Sequence, residues 1–239
     1  MKKKALNFIF LSLLVLTFAA CGNKNGENAS DAEQSDTESS AEDSDEGIYI
    51  SDIKEAWKTK PIKMENNEGD PDVYKFALAF CDEYSAYDPN AAMMDYISNP
   101  KEYNEEEAGF HIEDDKSNGY ISSSLMTEFD YKTDCCFWKR NDGHRLVAFW
   151  LCEQLEGMEN PESLALFYDF DPKTNVMTPE PKLTELIEKN TASFPAYEVR
   201  LPDKDKDIEV VTFTDAGEDS YDTSSFQMIW DGQNFTIKK

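Results

Sequence analysis

The feature that most constrains this chain is a pair of apolar runs that meet at one turn. DCCFWKRN (134–141) is followed by Asp142-Gly143 and then by HRLVAFWLC (144–152). Asp-Gly between runs rich in aromatic and aliphatic residues signals a β-hairpin, because glycine accepts the positive φ that tight turns need. A two-residue Asp142-Gly143 loop sets Trp138 opposite Val147 and Phe137 opposite Ala148. Alternation then gives one face Cys136, Trp138, Val147, Phe149 and Leu151. The other face carries Cys135, Phe137, Leu146, Ala148, Trp150 and Cys152. Both faces are apolar, so the hairpin at 131–153 is expected at the centre of a sheet covered on both sides. Cys135 and Cys152 share a face on a diagonal, which makes them the strand pair to consider for a disulfide. A one-residue slip would swap the faces and move that pairing to Cys136.

Two more turns of this kind follow the same logic. Asn118-Gly119 separates GFHIEDDKS from YISSSLM and suits a type I′ loop, and Asp231-Gly232 separates FQMIW from QNFTI. In the last hairpin Phe226, Met228 and Trp230 point the same way as Phe235 and Ile237, so it is half buried and near an edge. WKRNDGHRL and IWDGQNF form a weak internal echo. Between these hairpins lie a strand at 163–170, a short helix at 182–189, and strands at 196–201 and 208–214 joined by the charged turn 202–206.

Before residue 105 the period is helical. Ser51 caps a short helix, and Asp70-Pro71 opens a second whose stripe is Val73, Phe76, Ala77, Phe80 and Tyr84. Asp88-Pro89 opens a third, which carries Met93, Met94 and Ile97. The expected fold is therefore α+β: N-terminal helices packed on an antiparallel sheet of hairpins, with roughly seven to nine strands. The globular part spans 48–239, helical over 48–105 and mainly β over 106–239.

The amino end reads differently. Lys2, Lys3 and Lys4 precede 16 residues without charge, Ala5 to Ala20. That run is shorter than the roughly 20 residues a membrane-crossing helix needs, and it reads as a signal peptide over 1–20. Thr17-Phe18-Ala19-Ala20-Cys21 resembles the lipobox of bacterial lipoproteins. The resemblance implies cleavage between Ala20 and Cys21 and acylation of Cys21, which fixes the chain to a bilayer without any spanning helix. Residues 22–47 hold nine acids, one lysine and no large apolar residue, so segment 21–47 is expected to be a lipidated cysteine on a disordered acidic tether. Gly22-Asn23-Lys24-Asn25-Gly26 separates Cys21 from the acids. The expected address is the outer membrane, on its periplasmic side rather than at the cell surface.

Charge and missing motifs narrow the function. The chain has 49 acids, 23 bases and a formal charge of −26. Such a surface repels phosphate backbones, which excludes nucleic acid as a partner. Only His111 and His144 are available, and no GxSxG, P-loop, HExxH or GxGxxG occurs, so neither catalysis nor a cofactor is expected. Asp169, Asp171 and Asn175 place oxygens at positions one, three and seven of a calcium-loop pattern. Thr174 stands where the glycine should be, and an Asx-type turn is the simpler reading. NGY (118–120), FW, DG and LVA (137–148), FYDFDP (167–172), TPEP (178–181) and IWDGQNF together resemble uncharacterised lipoproteins of Bacteroidota, from which no activity carries over. The function expected is a non-catalytic binding or interaction module for a protein or glycan of the envelope. Two alternatives stand beside it: a ligand-pocket protein or enzyme of a cone-shaped fold resembling the nuclear transport factor 2 superfamily, and an extracytoplasmic inhibitor.

Overall fold

The computed structural model describes residues 48–64, 69–125, 131–154, 160–215 and 221–238. The expected signal peptide, Ala20, Cys21 and the acidic tether lie outside the described residues. Three helices lie in the amino-terminal part, α1 (Ile50–Trp57), α2 (Val73–Glu83) and α3 (Asp88–Ser98), with one short strand between the first two. The N-cap of α2 is Asp72, whose carboxylate accepts the Lys75 N–H at 3.2 Å. Asp70 is not the cap; it accepts from Arg145 at 3.2 Å instead. Tyr49 rather than Ser51 caps α1, and its N–H donates to Asp52 at 3.1 Å. A short α4 (Glu105–Ala108) and, later, α5 (Pro181–Thr191) complete the helices.

The strands form two sheets rather than the single one expected. The first is seven-stranded and antiparallel: β1 (Ile62–Lys63), β2 (Phe110–Asp115), β3 (Tyr120–Leu125), β4 (Tyr131–Lys139), β5 (Arg145–Glu153), β6 (Glu162–Asp171) and β7 (Val176–Pro179). Its order is β1-β7-β6-β5-β4-β3-β2. The second holds β8 (Ala196–Arg200), β9 (Ile208–Asp215), β10 (Tyr221–Trp230) and β11 (Phe235–Lys238), in the order β11-β10-β9-β8. The C-terminal strands stack over the first sheet because its second face is as apolar as the face the helices take, and must also be covered.

The β4–β5 hairpin is central and covered on both sides, as expected, but its register is shifted by one residue. Trp138 pairs with Leu146 and Phe137 with Val147. The loop has three residues: the Arg140 N–H donates to the His144 carbonyl at 3.0 Å, and Gly143 takes φ +92°. A left-handed glycine in third place marks a three-residue loop, not a two-residue one. The faces regroup accordingly. Cys135, Phe137, Val147, Phe149 and Leu151 face α1, α2 and α3, where Phe80 stacks on Phe149 with centroids 3.8 Å apart. Cys136, Trp138, Leu146, Ala148, Trp150 and Cys152 face α5 and the second sheet, against Leu183, Ile187, Val199, Ile208, Val210 and Met228. Cys135 and Cys152 therefore stand on opposite faces, where no bridge can join them, and Cys81, Cys135 and Cys136 are free thiols. The β2–β3 turn also departs from type I′: Asp115 pairs with Tyr120 across four residues, with Gly119 alone left-handed.

The two echoing hairpins meet tip to tip. The Asn141 N–H donates to the Gly232 carbonyl at 3.0 Å, and Gln233 donates from its side chain to Asp142 at 2.7 Å. Arg140 joins them from below: its guanidinium binds Asp169, Glu180 (2.6 Å) and the Gln233 carbonyl (3.1 Å). Trp138 packs against Trp230 and Phe235 behind this junction.

Candidate ligand-binding cleft

The face of the first sheet that looks toward the second is apolar at one end and polar at the other. Along β4, alternation carries Cys136 and Trp138 into the shared core and places Lys132 and Asp134 further along the same face. Ser122 lies opposite Asp134 on β3, and Trp150 lies opposite it on β5. The second sheet covers the apolar end and leaves an opening of about 410 Å³ at the polar end, between Lys132, Trp150, Gln154, Asn160 and Ser163 on one side and Tyr197, Glu198 and Phe213 on the other. A narrower hollow of about 150 Å³ continues past Lys132 and Glu198 to Glu113, Tyr120, Asp134, Arg200 and Asp203. The volume of the wider part lies within the range of small-molecule sites, roughly 300–1,000 Å³.

Hydrogen bonds tie the walls together. The Tyr197 hydroxyl donates to the Ser163 carbonyl at 2.9 Å, tying β8 to β6. Trp138 Nε1 donates to the Lys206 carbonyl at 2.8 Å, and Cys136 Sγ to the Pro202 carbonyl at 3.5 Å, which fixes the 202–206 connection. Arg200 lies between Glu198 (3.0 Å) and Glu209 (3.2 Å).

The charges at the floor are unevenly satisfied. Asp134 is 2 % exposed, and burial pushes its carboxyl above the ordinary range, while Lys132 and the nearby Ser122 and Tyr120 hydroxyls pull the other way. Lys132 Nζ sits 3.1 Å from Asp134 Oδ2 and 5.4 Å from the Trp150 ring centroid. Asp134 Oδ1 has no partner at hydrogen-bond geometry, and neither has Trp150 Nε1. A buried acceptor and a buried donor are thus both left open beside one cleft, where burial makes such groups costly.

The expected calcium-pattern residues lie elsewhere, at the hairpin junction. Asp169 accepts from Arg140 and stands 2.7 Å from His144 Nδ1, while Asp171 accepts the Lys173 N–H at 2.8 Å and the Thr174 hydroxyl at 3.2 Å. Asn175 takes φ +55° as the turn closes, which makes this the Asx-type turn. Among the described residues no group of three or more His, Cys, Asp or Glu is arranged to hold a metal ion. His144 is more than a solvated turn residue: its hydrogen bond to Asp169 raises its pKa above the ordinary value.

Lys132, Asp134, Trp150 and Glu198 escaped the sequence reading. The available signal was Lys132 and Asp134 at period two on a strand otherwise apolar on that face. Its meaning depends on β8, more than 60 residues later. Comparison with known proteins finds no matching family model, no matching curated protein and no matching solved structure.

Proposed function

We infer that this chain is an envelope lipoprotein, anchored by a lipidated Cys21 on the periplasmic side of the outer membrane, and that its globular part is a non-catalytic binding module. The inter-sheet cleft is its ligand-contacting surface. The observation that carries the binding reading is the pair of unpartnered buried atoms, Asp134 Oδ1 and Trp150 Nε1, on residues that border the narrower and the wider hollow. Packing bears on the alternatives. Helices fill one face of the seven-stranded sheet, and α5 with the second sheet fills most of the other, so the interior that a cone-shaped pocket fold keeps open is occupied here. An inhibitor should present an exposed loop or an aromatic patch, and among the described residues Tyr49, 49 % exposed, is the only exposed large hydrophobic side chain.

Two measurements test this reading. Trp150 emission is titrated with envelope peptides and soluble glycan fragments: a saturable change that Trp150→Phe abolishes is expected, and no response to either class defeats the binding-module reading. The anchor is tested by detergent phase separation. Wild-type chain is expected in the detergent phase and Cys21→Ser in the aqueous phase; equal partitioning refutes lipidation at Cys21.

A further inference from the structure

The cleft and its narrow continuation run along β8. Ala196, Tyr197 and Glu198 border the wide part, and Glu198 through Leu201 border the narrow part. β8 ends its sheet, pairing with β9 and with no other described strand. An edge strand beside a groove is where an extended peptide adds its backbone to a sheet, while its alternate side chains enter the groove.

The side chain this groove accepts follows from its charge. Glu113, Asp134, Glu198 and Asp203 face Lys132 and Arg200, and Arg200 is already held by Glu198 and Glu209. The floor joins a carboxylate to an aromatic face, the pairing that selects cations. Lys132 already occupies that place, its ammonium against Asp134 Oδ2 and over the Trp150 ring, but one ammonium there leaves Oδ1 open. A planar guanidinium reaches both oxygens of a carboxylate at once. Lys132, its side chain 30 % exposed, has solvent into which to swing aside.

Resting on the binding-module reading, we propose that the cleft takes an extended peptide segment bearing an arginine, with its backbone added to the β8 edge and its guanidinium on Asp134 against Trp150. A lysine competes poorly because Lys132 already supplies an ammonium.

The test uses the full chain in nonionic detergent and two libraries of end-blocked heptapeptides, random except at the centre. One library fixes arginine there, and the other fixes citrulline, its neutral isostere. Binders from the arginine library are expected, and their citrulline counterparts bind at least about tenfold more weakly. Asp134→Asn, an isosteric change, removes that difference while its circular dichroism stays wild-type. Glu185→Gln, on exposed α5 surface, leaves the difference intact, which separates a site from the general attraction of an acidic domain. Hydrogen exchange at the β8 amides slows on binding. No binder from the arginine library, equal binding of citrulline peptides, persistence of the preference in Asp134→Asn, or unchanged β8 exchange each overturns the proposal. If glycan fragments shift Trp150 emission while no peptide binds, the arginine proposal falls and the binding-module reading stands. If neither class binds, both fall.

Discussion

Arg140 offers the sharpest test of how the two sheets are joined. Its side chain is 7 % exposed and reaches Asp169 on β6, Glu180 ahead of α5, and the carbonyl of Gln233 in the β10–β11 turn. Arg140→Met keeps most of the apolar stem and removes the guanidinium. Breaking a fully buried ion pair costs about 3–5 kcal/mol, because the surviving charge is left unsolvated. Here the stranded carboxylates are 29 % and 22 % exposed, so water partly replaces the lost donor and screening lowers the cost. The expected loss is about 2–3 kcal/mol, which for a domain of this size lowers Tm by roughly 5–10 °C. Urea unfolding of Arg140→Met, Glu180→Gln and the double variant gives the loss and the coupling, expected at about 1 kcal/mol or more. Hydrogen exchange should quicken first at the β10–β11 turn, where the guanidinium holds a backbone carbonyl. A loss below about 0.5 kcal/mol, or strictly additive single variants, refutes the junction as a stabilising bridge.

Three further outcomes follow from the packing and the electrostatics. Phe80, fully buried against Phe149, Tyr84 and Tyr168, should cost about 3–5 kcal/mol on truncation to alanine in denaturant unfolding, and a loss near 1 kcal/mol would show that the helix layer packs loosely. The hydrogen bond to Asp169 raises the His144 pKa above 6.5, so its contribution to stability is fully present below pH 6.5 and fades as pH climbs through the folded-state midpoint. NMR titration should place that midpoint above 6.5 in the wild type and bring it down in Asp169→Asn; an unchanged midpoint refutes the assignment. Burial pushes the Cys81 and Cys135 thiols up and Cys136 to about 12, so these three should resist thiol reagents until the chain unfolds. Rapid labelling of the native protein would contradict this.

The helices and most strands were legible because each has its own periodicity: Val73, Phe76 and Phe80 at helical spacing, and Phe226, Met228 and Trp230 at strand spacing. Register was not legible. Asp142-Gly143 marks a turn, but glycine takes a left-handed place in loops of two, three or four residues alike, and a one-residue error exchanges every side chain between faces. Cys135 and Cys152 were therefore expected on one side of the sheet that in fact lies between them. The division into two sheets was hidden for another reason. Alternation shows that the strands from Ala196 onward have an apolar side, but it does not say whether they extend the first sheet or lie across it. The cleft is a product of that choice, since Lys132 and Asp134 come to border a hollow only where β8 lies beside them.

The pairing order also bears on how the chain is assembled. β2 through β6 each bond to the next strand along the chain, as do β8 through β10, so every such pair can zip as soon as its second member leaves the ribosome or a translocase. β1 is the exception. Ile62 waits for Met177, and the greasy sides of α1, α2 and α3 wait for β4 through β6. A nascent chain halted before β4 through β6 emerge would hold those helices bare, which makes this interval the natural point for a chaperone to engage and for aggregation to begin.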